Sequence, residues 1–314
     1  MSELGDFLAP TLIGGPGRAL AAIWGALWGS FFNVMIVRVP AGESLVRPAS
    51  HCRACGARVA WYDNLPLISY LLLRGRCRAC GARFSPRYLL VELLVAALSV
   101  VMHQVVVVDA DPGVAIGLRA AQLVTTSLFC GLLVAVTFID LDSLRIPDAI
   151  TYPAIPTAML LSLFMGHPHL WDGAVGGVAG YLVIRLLADG YQLITGRVGM
   201  GYGDAKLLAM IGGLLGWQSL LPTLFLAAFQ GSVIGIGALL ILRRTRPDAG
   251  SPGPPAQESP AEASTPGVEG EEEEEPPSSS LRHARIPFGP FLSLAAVEVL
   301  VLRRQLGAFF PFLY

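Results

Sequence analysis

An aspartate flanked by glycines stands where a polar turn meets a long apolar stretch of the chain. The sequence at 201–206 is GYGDAK, and a mostly apolar run follows it as far as Leu242. Gly201 and Gly203 lack side chains, so backbone or substrate can come close to the carboxylate of Asp204. Acids at a membrane edge are costly to bury and are usually functional, which makes Asp204 a candidate catalytic residue with Lys206 beside it. An ordinary N-cap for the next helix is an equally open role for Asp204.

A second cluster of acids follows another apolar run. Residues 137–148 read TFIDLDSLRIPD, so three carboxylates compete for a role. Asp140 continues the apolar helix directly and should be the deepest. Asp142 lies two residues further on and so points from a different helix face. Asp148 follows Pro147 and suits the first turn of a new helix, where an acid is favoured. We therefore predict a catalytic role for Asp140 and boundary roles for the other two.

Two carboxylates that meet in a low-dielectric site cannot both ionise easily, so one of them stays protonated. Such a pair can hydrolyse a peptide: the ionised partner takes a proton from water while the protonated one polarises the carbonyl. The pair titrates as a unit, so neither Asp140 nor Asp204 is assigned a fixed role. Ion-coupled transporters also place acids in membrane helices, and these residues alone leave that alternative open.

Four of the five cysteines form two C-x2-C pairs, separated by 21 residues. Each pair can present two thiolates to one ion, and two pairs complete a tetrahedral site that is typical of structural zinc. Neighbouring arginines favour the thiolate form. The predicted ligands are Cys52, Cys55, Cys77 and Cys80. Cys130 lies alone in an apolar run and is predicted to be a small core residue.

These residues must be positioned by membrane helices. Of the 314 residues 54% are hydrophobic and 14% are charged, against roughly 25% charged in a soluble domain. The chain is therefore predicted to be an all-α polytopic membrane protein with a small zinc-binding domain. About eight spans of roughly 20 residues are expected. They lie near 18–37, 88–108, 118–139, 149–166, 172–194, 205–217, 219–242 and 286–302.

Charged residues between the spans predict the orientation. The segment 38–87 carries nine arginines against Glu43 and Asp63, so by the positive-inside rule it lies in the cytoplasm. Alternation then places both candidate aspartates at the cytoplasmic face. A cleaved signal peptide begins with a basic segment, but no basic residue precedes Arg18 here. The first span is therefore expected to be kept as an anchor. The net charge of −1 gives no sign of a nucleic-acid partner.

Composition divides the chain further. Residues 245–285 are dense in Pro, Gly, Ser and Glu and are predicted to form a disordered, acidic cytoplasmic linker. The other predicted parts are an N-terminal anchor at 1–37, the zinc domain at 38–87, a membrane core at 88–244 and a last membrane helix at 286–314.

The motifs, in their order, resemble those of one known family, the bacterial type IV prepilin peptidases. GSFFNV at 29–34, RVP at 38–40, Arg47-Pro48 and WYDNLP at 61–66 are similar to its N-terminal part. Arg87-Tyr88 with Glu92, Ile139-Asp140, GYGD at 201–204 and IPFGPFL at 286–292 are similar to the rest. Arg53 stands where the family often has proline, and the acidic insertion is unusually long.

The resemblance implies an aspartic-type protease in the bacterial inner membrane. Its substrates would be prepilins or pseudopilins, whose short basic leader is cut at the cytoplasmic membrane face. It also implies N-methylation of the new terminal residue from S-adenosylmethionine, for which no binding residues are assigned. Two rivals remain open: a peptidase without methylation, and a transporter or assembly scaffold with a structural zinc site.

Overall fold

The computed structural model describes residues 9–166, 169, 171–196, 201–245 and 287–306. Most of the predicted linker, the first residues of the predicted anchor, and the end of the last predicted helix lie outside these ranges. In the described part the chain is helical or in turns, with two isolated antiparallel bridges, His51 with Arg58 and Arg76 with Arg83. The predicted all-α class is confirmed.

Ten helices, numbered here in chain order, account for most of the described residues. They are α1 Gly15–Arg38, α2 Ile68–Leu72, α3 Arg87–His103, α4 Ile116–Ser143, α5 Asp148–Leu161, α6 Asp172–Thr195, α7 Tyr202–Leu215, α8 Leu220–Thr245, α9 Gly289–Val301 and α10 Arg303–Leu306. A π-helical turn, Gln104–Val108, extends α3. Short 3-10 turns lie at Trp61–Asn64, Ser162–Phe164 and Trp217–Ser219.

Among the described residues, five segments are long and apolar enough to cross a membrane. They are Gly15–Arg38, Arg87–Val108, Ile116–Ser143, Asp172–Thr195 and Trp217–Ala238. The helix α9 is apolar but has only 13 residues, and α5 and α7 have 14 each. A helix needs roughly 20 apolar residues to span the hydrocarbon core without help. The chain is therefore a multi-pass membrane protein, while a count of eight spans stays a prediction.

The short helix α7 forms the buried centre of the bundle. Most of its side chains from Ala205 to Leu215 are buried, and α5, α6 and α9 pack against it. Glycines allow the closest approach: a Cβ on Gly176 of α6 would lie 2.1 Å from the carbonyl oxygen of Gly212. Small residues at such positions let membrane helices approach closely. Because α7 is enclosed in this way, its first turn is held in a fixed place.

The chain divides into two compact units, Met1–Gly231 with Pro287–Tyr314, and Ser232–Ile286. The first unit contains every helix named above except the second half of α8. Both candidate aspartates and the four paired cysteines belong to this first unit.

Candidate active site

Asp140 lies in the last turns of α4 and is buried, with 5% of its surface exposed. The helix ends just beyond it, where Leu144 adopts the left-handed conformation with φ of 52° and donates its N–H to the Asp140 carbonyl. The oxygen Oδ2 of Asp140 is buried and lies against the backbone of Gly289, the first residue of α9. A carboxylate buried in this way is costly, so its position calls for an explanation.

Asp204 lies in the first turn of α7, where an acid is stabilised by the helix dipole. The N-cap is Gly201, whose backbone is extended, and no side chain caps this helix. The alternative that Asp204 serves as the N-cap is therefore wrong. Its side chain is partly buried, and its N–H donates to the Gly201 carbonyl at 3.2 Å.

Ile146 and the N-terminus of α9 pack beside the segments that carry the two aspartates. This helix packs against both α4 and α7. A Cβ on Gly289 would lie 2.5 Å from Oδ2 of Asp140 and 3.4 Å from Cδ1 of Ile146, and one on Gly203 would lie 3.1 Å from Cβ of Ile146. Ile146 therefore lies between Gly289, which is beside Asp140, and Gly203, which precedes Asp204. The two acids thus share one end of the bundle.

The two neighbouring acids are each bound to a cation. Asp142 is exposed and accepts from Arg87 Nη1 at 2.6 Å, and the same guanidinium lies 4.6 Å from the Phe138 ring centroid. This contact joins α3 to the end of α4. Asp148, the first residue of α5, pairs with Lys206 of α7. The structure therefore gives Lys206 a contact that holds α5 and α7 together beside Asp204.

Replacing Gly289 by alanine is expected to lower peptidase activity by about 10²-fold, since a misplacement near 1 Å can cost that much. The new methyl group cannot stand 2.5 Å from the Asp140 oxygen, so the carboxylate or α9 must move. Gly117→Ala is the matched control, because the same methyl group there, in α4, meets nothing within 4 Å. Equal activity of both variants in a cleavage assay would show that α9 does not form a wall of the site.

Arg185 is a further residue near the site, and the motif analysis missed it. It stands in the largely apolar helix α6, with its guanidinium carbon 4.2 Å from the Tyr202 ring centroid and its Nη2 2.8 Å from Asp189 of the same helix. An arginine over an aromatic face is attractive in this geometry. Arg185 thus contacts the ring of Tyr202, the tyrosine of the GYGD turn. An arginine within an apolar run was the available signal.

The four paired cysteines meet in the segment between α1 and α3. Their sulfur atoms all lie within 4.8 Å of one another. Zinc–sulfur bonds of 2.3 Å in a tetrahedron would separate the sulfurs by about 3.8 Å, so this cluster fits one such ion. Cys130 is fully buried in α4, away from this cluster. The predicted set of four ligands is thus brought together, and it can hold a metal.

Two identical heptapeptides, CRACGAR at 52–58 and 77–83, build this cluster. In each, the carbonyl of the first cysteine accepts an equivalent backbone hydrogen bond: from Gly56 N–H to Cys52 O at 2.8 Å, and from Gly81 N–H to Cys77 O at 2.9 Å. Both glycines have positive φ, 71° and 72°, which allows the tight turn. Backbone N–H groups of Cys55 and Ala54 lower the pKa of the Cys52 thiol to about 7, which favours the thiolate.

Neither of the two best-formed cavities among the described residues suits S-adenosylmethionine. The larger of the two best-formed cavities, about 300 Å³, lies among α1, α3 and α4 and is lined almost wholly by apolar side chains. The other holds only about 20 Å³. An adenine, a ribose and a charged amino acid need polar partners, which the larger cavity lacks, and the smaller one cannot enclose a molecule of that size. No residue is therefore assigned to that molecule.

Comparison with known proteins identifies two families along the chain. The family described as Bacterial Peptidase A24 N-terminal domain matches residues 23–106, and the Type IV leader peptidase family matches residues 127–236. The first match covers the cysteine cluster, and the second contains both aspartates. Gly289 lies outside both.

Curated relatives extend the similarity over most of the chain. A prepilin leader peptidase/N-methyltransferase of Myxococcus xanthus is 35% identical over 324 residues, covering 92% of this chain and 91% of the relative. A protein of the same description from Aeromonas salmonicida is 40% identical over 248 residues, covering 71% and 81%. One from Neisseria gonorrhoeae is 36% identical, covering 71% and 82%. No solved structure matches the chain.

Proposed function

This chain belongs to the bacterial type IV leader peptidase family, and on that premise we propose that it cleaves the leader of prepilins or pseudopilins with Asp140 and Asp204 as the reacting pair. The relatives named above support leader-peptide cleavage and methylation as the activities of the family. The aspartyl mechanism is supported by the position of both acids at the same end of the bundle, where Gly289 packs against Asp140 and Gly203 packs against Ile146.

The chemistry follows from a proton shared by two carboxylates. The ionised member of the pair accepts a proton from water, and the resulting hydroxide adds to the scissile carbonyl carbon. The protonated member donates its proton to the carbonyl oxygen. Collapse of the tetrahedral intermediate then breaks the C–N bond, and the leaving amine takes a proton from the pair. The buried Oδ2 of Asp140 is an acceptor suited to this shared proton.

The face of the membrane is inferred from charge. Asp140 ends α4 and Asp204 begins α7, on the side where α3 begins, because Arg87 joins the start of α3 to Asp142. The arginine-rich segment 38–87 leads into that end of α3. Positive segments stay in the cytoplasm, so we place the site at the cytoplasmic face of the inner membrane, where a basic leader is found.

The metal is inferred to be structural. A zinc ion held by Cys52, Cys55, Cys77 and Cys80 would have all four positions filled by protein, which leaves no site for substrate. When bound, the ion supplies a crosslink for a segment of about fifty residues that is too small for a core of its own. The four thiolates would orient the two cysteine turns, and the proposed reaction takes place at Asp140 and Asp204.

Mass measurement tests the two activities separately. Purified wild-type chain in lipid vesicles is mixed with a membrane-embedded prepilin, with and without S-adenosylmethionine. We expect loss of the leader in both samples and a gain of one methyl group only with the donor. Cleavage without methylation would indicate a peptidase that has no methyltransferase activity. Absence of cleavage would overturn the proposal and bring forward a transporter or assembly scaffold.

A further inference from the structure

Three large apolar side chains project from the short helix α2. Ile68, Leu71 and Leu72 are 56%, 65% and 78% exposed. Their spacing of i, i+3 and i+4 puts them on one face. Ser69, on another face, is buried, where its hydroxyl donates to the Tyr62 carbonyl at 2.9 Å and accepts from Leu65 N–H at 3.0 Å. These bonds fix the orientation of the apolar face.

The start of α2 is held beside an apolar part of the bundle. Leu67 N–H donates to Glu92 Oε2 at 2.8 Å, and Glu92 is buried within the membrane segment Arg87–Val108. Glu92 packs against Gly29 of α1, where a Cβ would lie 2.7 Å from its Cα. Gly29 lies nine residues before the end of α1 at Arg38, which corresponds to roughly 13 Å along a helix. This distance exceeds the reach of the Glu92 side chain. Leu67 therefore lies beside α1, on the membrane side of the end of that helix.

Aromatic and basic residues surround this apolar face. Trp61 and Tyr62 are 79% and 51% exposed, with ring centroids 5.7 Å apart. Such rings favour the membrane–water interface. The only acid between residues 61 and 87 is Asp63, and Arg78 binds it through two hydrogen bonds that hold the pKa of that carboxyl below its usual range. The other basic side chains near α2 in sequence are exposed: Arg74, Arg76 and Arg83.

We propose that α2 is an interfacial anchor that holds the cysteine-containing segment on the membrane surface. Ile68, Leu71 and Leu72 enter the boundary between headgroups and acyl chains, and the exposed arginines meet anionic headgroups. The proposal goes beyond the peptidase function and does not depend on it. Its consequence is that the segment between α1 and α3 lies flat beside the bundle, on the side where Asp140 and Asp204 meet.

Phospholipid is the occupant that these residues favour. The leader peptide of a substrate is a second candidate for binding to the apolar face of α2. That peptide would be basic, and the net charge around α2 is strongly positive, so like charges would oppose its binding. A lipid surface with anionic headgroups satisfies both the apolar face and the arginines.

Photocrosslinking tests this contact in the full-length protein. The photoreactive residue p-benzoylphenylalanine is placed at Leu72, with Arg53 and Leu186 as comparison sites. Arg53 is exposed on the first cysteine turn, and Leu186 is 70% exposed on the membrane helix α6. Each protein is reconstituted in vesicles of phosphatidylethanolamine and phosphatidylglycerol together with a prepilin, illuminated, and analysed by intact mass.

We expect lipid adducts at Leu72 at a level close to that at Leu186 and about tenfold above that at Arg53, because only a side chain in the interface meets acyl chains continually. A lipid yield at Leu72 no higher than that at Arg53 would overturn the proposal, and so would an adduct with the prepilin in place of lipid. Leu71 is a second labelling site with the same expectation, and it decides the outcome if the Leu72 protein does not accumulate.

Discussion

Replacing either Asp140 or Asp204 by asparagine is expected to lower the rate of prepilin cleavage by about 10²- to 10⁴-fold, the range that general acid–base catalysis contributes. Asparagine keeps the shape of the side chain but cannot accept or donate the shared proton. The measurement is the rate of leader release from a membrane-embedded prepilin by each variant in vesicles. Losses of similar size are expected for both single variants and for the double variant, since the two acids act as one unit.

Asp142→Asn is the matched control, because it removes a carboxylate two residues from Asp140. That carboxylate is exposed and binds Arg87 on the surface of the bundle. Exposed ion pairs contribute about 0–1 kcal/mol, so cleavage should stay within a few-fold of wild type. If Asp142→Asn is inactive while Asp140→Asn still cuts, the wrong carboxylate has been assigned. If both aspartate variants retain activity, the aspartyl mechanism is excluded.

Replacing Cys77 by serine is expected to remove the bound metal and to unfold the segment between α1 and α3. Purified wild-type chain should hold about one zinc ion, and the variant far less. Apparent zinc-binding free energies of about 10–16 kcal/mol in small domains show how much folding depends on the ion there. Metal content by mass spectrometry and hydrogen exchange over residues 50–84 are the two measurements.

Cys130→Ala separates the loss of a ligand from the loss of a thiol. Cys130 is fully buried in α4 and takes no part in the cysteine cluster. Its replacement should leave the metal content and the exchange of residues 50–84 unchanged. Zinc that persists in the Cys77→Ser protein, or that is absent from the wild type, would contradict the assignment of these four cysteines.

The sequence was sufficient for the approximate positions of the long apolar helices, because long apolar runs ended by charged turns have few other interpretations, but it did not predict the short helix α2. The depth argument singled out Asp140, and the structure buries it while it pairs Asp142 with Arg87. The repeated heptapeptide also encodes its own structure, since each copy makes the same local bonds. The long helices and the heptapeptide turns depend on neighbours within a few residues, whereas the pairing of Asp142 with Arg87 joins residues 55 positions apart.

Contacts between distant segments could not be obtained in this way. Nothing in the IPFGPFL motif says that Gly289 touches the carboxylate of Asp140, about 150 residues earlier in the chain. The contact of Arg185 with Tyr202 and the bond from Leu67 to Glu92 likewise join separate elements. Helix packing decides such pairs, and apolar periodicity alone carries too little information to specify which faces meet.

The place of α9 in the chain has a consequence for biosynthesis. Both aspartates are made by residue 204, but the glycine that packs against Asp140 arrives only after the insertion at 245–285 has been translated. A nascent chain in the membrane therefore carries both aspartates for some time without the helix that packs against Asp140. On the proposed mechanism the chain would become competent to cut only when α9 is in place, so its own folding delays that moment.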